Sequence, residues 1–486
     1  MTTYFPMLLS QQVQATGRLE VRAPFDGQVL GSIELGGAAA VETALDEAHR
    51  LFRDRDRWLP AAARIAVLRK AARLMEERAE QLALDAAREG GKPLTDSRVE
   101  VARAIDGVLN CAELLRSSGG HVIPMSVNAA SERRIAFTQR EPIGVVVAVS
   151  AFNHPLNLIV HQVGPAIAAG CPVIVKPAGD TPLSCMRFVK ILREAGLPVE
   201  WCQALVTESN EVATSLVSDR RVGFFSFIGS ARVGWMLRSK LAPGARCALE
   251  HGGAAPVIVA ADADLEMAVS KIAKGGFYHS GQVCVSVQRV FAHRSIARAL
   301  AEALAGHAKR LKVGDPTSED TEVGPLIRPE ELRRVEAWVR EAECAGSTVL
   351  CGGRTMMSSC YEPTVLWEPP ANVRVSREEV FGPVVCVYAY DDLDEAIARA
   401  NALPVAFQAA VFTRDLDLAM RAYARLDASA VMVNDHTAFR VDWMPFAGLR
   451  ESGLGVGGIP YTWHEMQIEK IFVGSAGEQE WAKHGC

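Results

Sequence analysis

The sequence predicts an α/β protein built on parallel sheets. Largely apolar runs at 143–149, 172–175 and 222–228, the first of them β-branched, are each followed by a turn rich in Gly, Pro or Asn, and the first two then lead into a helical segment. The same alternation returns in the second half of the chain. The length of 486 residues, 49% of them hydrophobic, allows a large core and, at about 100–200 residues per unit, two to four folding units.

Along the chain, 41–51 and 61–82 carry apolar residues at helical spacing between Arg, Glu and Asp. After Pro142 come a strand (143–149), an Ala-rich helix (164–169), a strand (172–175), a turn (176–182) and a helix (183–195). The second half gives strands at 256–259, 289–293, 384–390, 409–412 and 430–434, with helices at 265–275 and 297–311. Segments 133–140 and 469–473 alternate apolar and polar residues, as half-exposed strands do.

Composition removes several function classes. Net charge is −5 with both signs interspersed, so no nucleic-acid partner is expected. The apolar runs near 143–152 and 163–175 are shorter than the ~20 residues of a spanning helix, so no membrane partner is expected. The N-terminus lacks the basic start of a secretory signal. The 11 cysteines form no Cys-x-x-Cys pair and suit a reducing compartment, which points to the cytoplasm. His464-Glu465 lacks the second His of a zincin, so no metal is expected.

Several motifs sit where chemistry would. In Gly281-Gln282-Val283-Cys284 a glycine turn presents a thiol. A thiolate adds to an aldehyde carbonyl, giving a thiohemiacetal that can lose hydride; the alternative is a buried structural cysteine. Glu250, in Leu249-Glu250-His251-Gly252-Gly253, stands at the entrance of the 256–259 strand as a candidate general base or a plain turn residue. Phe152-Asn153-His154-Pro155 follows a buried strand, where ligands bind in open α/β sheets. Its amide can donate to an oxyanion or simply start a helix. Lys176, also at a strand end, suits ribose hydroxyls or phosphate. Gly229-Ser230-Ala231-Arg232-Val233-Gly234 lets backbone N–H groups face a pyrophosphate, although it is neither a Walker loop nor G-x-G-x-x-G. Glu378-Glu379-Val380-Phe381-Gly382-Pro383 reads alone as a helix end entering a turn.

Taken in order, these motifs resemble the aldehyde dehydrogenase superfamily over roughly 21–473, nearest to its phosphonoacetaldehyde and lactaldehyde dehydrogenase-like branch. Glu89-Gly90-Gly91-Lys92-Pro93, Gly324-Pro325-Leu326, Asn434, Pro445-Phe446-Ala447-Gly448 and Glu451-Ser452-Gly453-Leu454-Gly455 extend the match. The resemblance implies two doubly wound Rossmann-like domains and a small β oligomerisation flap. Residues 1–121 and 142–250 would bind NAD(P), 251–462 would form the catalytic domain, and 122–141 with 463–486 the flap. It implies Cys284 as nucleophile, Asn153 with the Cys284 N–H as oxyanion hole, and Glu250 as base for deacylation. Ser150, Phe152, Lys176, Gly179, Gly229, Ser230, Gly234, Glu379 and Phe381 would meet the cofactor. The protein would be a homodimer or homotetramer.

Two departures bear on specificity. Gly179 stands where many NAD-specific relatives carry Glu, so NAD is the expected cofactor with NADP possible. Arg103, His154 and Arg440 form a candidate clamp for a small anionic or hydroxylated aldehyde. Phosphonoacetaldehyde-type relatives also carry Arg immediately before the nucleophile, where this chain has Val283, as lactaldehyde-type relatives have an apolar residue. The other readings are a dehydrogenase of small neutral aldehydes and, from a different class, a cofactor-independent thiol esterase.

Overall fold

A computed structural model describes residues 3–117, 119–357 and 359–475. The part of the expected flap at 476–486 lies outside the described residues.

One six-stranded sheet has the order Gly453–Leu454, Arg246–Glu250, Val222–Ile228, Val145–Val149, Val173–Lys176, Cys202–Ala204. All its pairings are parallel except that of Gly453–Leu454. Helices cover the sheet, so its central strands are apolar on both faces, and Val145, Val146, Val147 and Ala148 are completely buried. Burying each such valine contributes about 1.5–3 kcal/mol.

A seven-stranded sheet follows, ordered Thr348–Cys351, Thr364–Trp367, Val384–Tyr390, Val287–His293, Ala255–Val259, Gln408–Phe412, Ala430–Val433. It is parallel except for its Thr348–Cys351 edge. The chain then returns to the first unit: Gly453–Leu454 joins the first sheet, and helix Ile459–Glu465 packs on helix Asn157–Ala169. A separate antiparallel sheet pairs Arg134–Pro142 with Gln467–Ser475 and Val122–Ile123, where the alternating segments were expected.

Several elements differ from the sequence expectation. The helix expected at 61–82 is two, Ala61–Glu77 and Ala79–Gly90, because Arg78 leaves helical geometry (φ −116°, ψ 13°). The helix expected at 164–169 starts at Asn157 and tolerates Pro165 inside it. Glu250 does not merely precede a strand. It ends the strand Arg246–Glu250, which its mixed composition concealed. Helices Pro329–Cys344, Leu393–Asn401 and Leu416–Arg425 are further additions.

Candidate active site

A crevice of about 890 Å³ runs between the carboxyl ends of the first sheet's strands and the loops that enter the second sheet. Ser150, Gly229 and Glu250 come from the first set; Cys284, Glu379 and Phe381 come from the second. Of the residues expected to act in catalysis or to meet cofactor or substrate, all but Lys176, Gly179 and Gly234 line it.

Cys284 is presented by a left-handed turn. His279, Ser280 and Gly281 have φ of 48°, 55° and 68°, conformations that L side chains adopt at a cost. At Gly281 a Cβ would lie 2.0 Å from the Gly382 carbonyl oxygen, so only glycine lets the turn before Cys284 pack on the Phe381–Gly382 turn. Gln282 anchors the turn: its Oε1 accepts from the Ile327 N–H at 3.0 Å, and its amide donates to the Pro325 carbonyl at 3.2 Å. The backbone N–H of Cys284 has no partner among the described residues.

The buried Asn153 amide donates to the Gln282 carbonyl at 2.9 Å. That bond uses one of its two N–H hydrogens and fixes the amide, leaving the other free. Burial pushes the Cys284 thiol up, the Glu250 carboxylate pushes it further, and Arg440 opposes both. Burial raises Glu250 too, again against Arg440. A small cavity of about 30 Å³, large enough for a water, abuts Glu250 beside His161 and Phe446.

The expected cofactor groups divide. Glu379 accepts from the Gly253 N–H at 3.2 Å, and burial raises its carboxyl to about 8. Gly252 makes room for it, since a Cβ there would come within 1.8 Å of Glu379 Oε1. Ser150 Oγ is buried without a protein partner among the described residues. Phe152 and Phe381 meet edge to face at 5.9 Å. Lys176 ends its strand, and among the described residues its Nζ is bonded only to the Pro177 carbonyl, at 3.5 Å. These open donors and acceptors fit a ribose and nicotinamide, so the site suits a dinucleotide. Gly179 is exposed, with the nearest atom 3.8 Å from where a Cβ would stand. Gly234 does not reach the crevice: it lies under His251, whose ring would be 2.0 Å from a Cβ there. Close packing, rather than phosphate contact, explains that glycine.

The three clamp candidates line the crevice but are not three free charges. Arg103 is bound to the buried Asp442 by two hydrogen bonds, of 2.7 and 3.0 Å. His154 has Nδ1 against Lys92; burial, then Lys92, holds the ring neutral with a pKa of about 4. It therefore offers no charge at neutral pH. Arg440 remains cationic over the Phe446 ring, 3.5 Å from its centroid, with its Nε unpartnered among the described residues.

Sequence reasoning missed the groups behind these side chains. Lys92 lies inside a quoted motif, and Asp442 two residues beyond Arg440, so both had a signal. Glu100 and His161 sit in helix interiors, where nothing in the spacing marks them.

A thiol, a carboxyl and an amide donor beside a dinucleotide-sized crevice define a dehydrogenase working at a carbonyl carbon. Residues 11–472 match the aldehyde dehydrogenase family, and the chain belongs to that family. A 3-sulfolactaldehyde dehydrogenase of Priestia aryabhattai is 40% identical over 89% of each chain. Among solved structures, aldehyde dehydrogenase 21 of Physcomitrella patens, in complex with the reaction product succinate, has a TM-score of 0.94. It is 33% identical, covering 99% of this chain and 100% of its own. The glyceraldehyde-3-phosphate dehydrogenase GapN of Methanocaldococcus jannaschii, complexed with NADP, has a TM-score of 0.89. It is 34% identical, covering 94% of this chain and 99% of its own. Other solved neighbours hold NAD. The protein is an NAD(P)-dependent aldehyde dehydrogenase with the α/β fold of these enzymes. Among the described residues, no helix is long and apolar enough to cross a membrane.

Proposed function

We propose that the enzyme oxidises a small aldehyde bearing an acidic or hydroxyl substituent to its carboxylic acid. The observation that carries this reading is Arg440: a guanidinium that lines the crevice with Cys284 and makes no ion pair with a carboxylate among the described residues. Three of the similar proteins share this chemistry. 3-Sulfolactaldehyde is both hydroxylated and anionic, glyceraldehyde 3-phosphate likewise, and succinate is an anionic product.

In the proposed reaction the Cys284 thiolate adds to the carbonyl carbon. The oxyanion is held by the free N–H of Asn153 and the backbone N–H of Cys284. Lys176, Glu379, Ser150, Gly229 and Ser230 would hold NAD(P), which would supply the hydride acceptor. Loss of hydride from the thiohemiacetal leaves a thioester on Cys284. Glu250 takes a proton from water, the hydroxide attacks the thioester carbonyl, and the acid leaves as the thiol is regenerated.

The division at 1–121 with 142–250, 251–462, and 122–141 with 463–486 is our proposal for the domains. The three-stranded sheet would be the oligomerisation flap, giving a homodimer or homotetramer. Ile471, Phe472 and Val473 are about half exposed on its outer strand, and an open strand edge invites pairing with a second copy. The free cysteines support a cytoplasmic setting.

The test is kcat/KM for 3-sulfolactaldehyde, succinic semialdehyde, lactaldehyde and propanal with NAD and with NADP. The anionic aldehydes should exceed propanal by about tenfold or more, as one charged hydrogen bond allows, and neutral lactaldehyde should exceed it by about fivefold to tenfold. Equal or better use of propanal would overturn the reading.

A further inference from the structure

Lys92 is completely buried, just after Gly91 ends helix Ala79–Gly90 in a left-handed turn. Its ammonium touches Glu100 Oε2 and lies 2.5 Å from His154 Nδ1. Glu100 is committed elsewhere as well: its Oε1 accepts the N–H groups of Leu156 and Asn157 at 2.9 and 3.0 Å, at the start of helix Asn157–Ala169. Those three donors keep Glu100 ionised. Burial pulls the Lys92 ammonium down, and the ionised Glu100 carboxylate in contact with it opposes that and holds the proton on Lys92.

An ammonium has three donors and no lone pair, so the nitrogen facing it must be an acceptor. His154 Nδ1 therefore presents its lone pair, and the neutral ring carries its proton on Nε2. The only side-chain hydrogen bond of His154 among the described residues is the one at Nδ1, so Nε2 is left to the crevice, which the ring lines next to Asn153. Tyr278 stacks on it at 6.2 Å and an interplanar angle of 30°, fixing its plane.

We propose that Lys92 is a positioning residue for substrate choice, locking His154 as an Nε2–H donor that takes an oxygen substituent beside the aldehyde carbon. This rests on the reading above that the substrate carries such an oxygen. A neutral donor costs far less to desolvate than an imidazolium, so it recognises a hydroxyl without adding charge near Cys284.

The experiment compares kcat/KM for lactaldehyde and for propanal, its deoxy counterpart, with NAD. The wild-type ratio should favour lactaldehyde about fivefold to tenfold, as one neutral hydrogen bond allows. His154→Gln, whose amide nitrogen falls near Nε2, should keep the ratio within about twofold. His154→Asn, whose nitrogen falls near Nδ1, should lose it through a raised KM for lactaldehyde. Lys92→Met should lose the ratio with the ring still present, and adding Lys92→Met to His154→Asn should change it no further. In the wild type, the ¹⁵N imidazole signal that disappears in His154→Gln should show a protonated Nε2 and an unprotonated Nδ1; this readout does not depend on how Lys92→Met folds. A wild-type ratio near one overturns both this proposal and the substrate class. A normal wild-type ratio lost equally in His154→Gln and His154→Asn, kept in Lys92→Met, or joined to the opposite tautomer overturns the Lys92 proposal alone.

Discussion

Arg440 donates from Nη2 to His161 Nδ1 at 3.3 Å, while Asp442 is bonded to the other nitrogen of that ring, His161 Nε2, at 2.6 Å. A neutral imidazole thus separates the guanidinium from the carboxylate that would otherwise cancel it. Burial, then Arg440, keeps His161 neutral with a pKa of about 4. Asp442 is spent on Arg103 and His161, and Arg440 keeps a positive charge in the crevice.

Arg440→Ala should therefore raise KM for an anionic aldehyde by about tenfold to a hundredfold, the worth of a charged hydrogen bond. A neutral aldehyde of similar size should change little. Steady-state kinetics on the pair decides it, and equal losses on both would remove Arg440 as an anion-binding group.

The same charges set the reactivity of Cys284. The Glu250 carboxylate disfavours the thiolate and Arg440 favours it. Glu250→Gln should shift the pH midpoint of iodoacetamide alkylation at Cys284 downward, and Arg440→Ala should shift it upward. Peptide mass spectrometry at a series of pH values reads both; shifts of the same sign would mean that these charges do not govern the thiol.

Gly281→Ala tests the presentation of the thiol. Its methyl group would meet the Gly382 carbonyl in a left-handed conformation. Displacement of Cys284 by about 1 Å should lower kcat about a hundredfold. Wild-type kcat in this variant would show that the turn adapts.

Gly179 bears on the cofactor. With no carboxylate there, both NAD and NADP should support turnover, and Gly179→Glu should raise the NAD over NADP ratio in kcat/KM by about tenfold through like-charge repulsion of the 2′-phosphate. A wild-type enzyme that already rejects NADP as strongly as the variant would remove Gly179 as a determinant.

Much of this was legible in the chain. The runs around 145, 174 and 225 are strands because burial on both faces demands unbroken apolar sequence, and that pattern is visible without tertiary information. Arg246–Glu250 was not visible, since an edge-side strand with Arg and Glu at its ends lacks the pattern. Cys284, Asn153 and Glu250 could be singled out because short motifs mark them, and the fold brings all three to one crevice. Their electrostatic settings were not, because they depend on residues far apart in sequence: Lys92 on His154, and Asp442 on Arg103 and His161. In sequence Arg103 could be either a clamp residue or a salt-bridged one, and only the fold, which brings Asp442 to it, decides.

The most direct measurement of the mechanism is intact and peptide mass spectrometry of Glu250→Gln after mixing with NAD and an aldehyde the wild type oxidises. Without the base, deacylation should slow, and Cys284 should carry an acyl group whose mass equals the product acid less water, with one NADH formed per acyl group. A slow variant that makes NADH with no adduct on Cys284, or with the acyl group on another cysteine, would contradict the thioester mechanism.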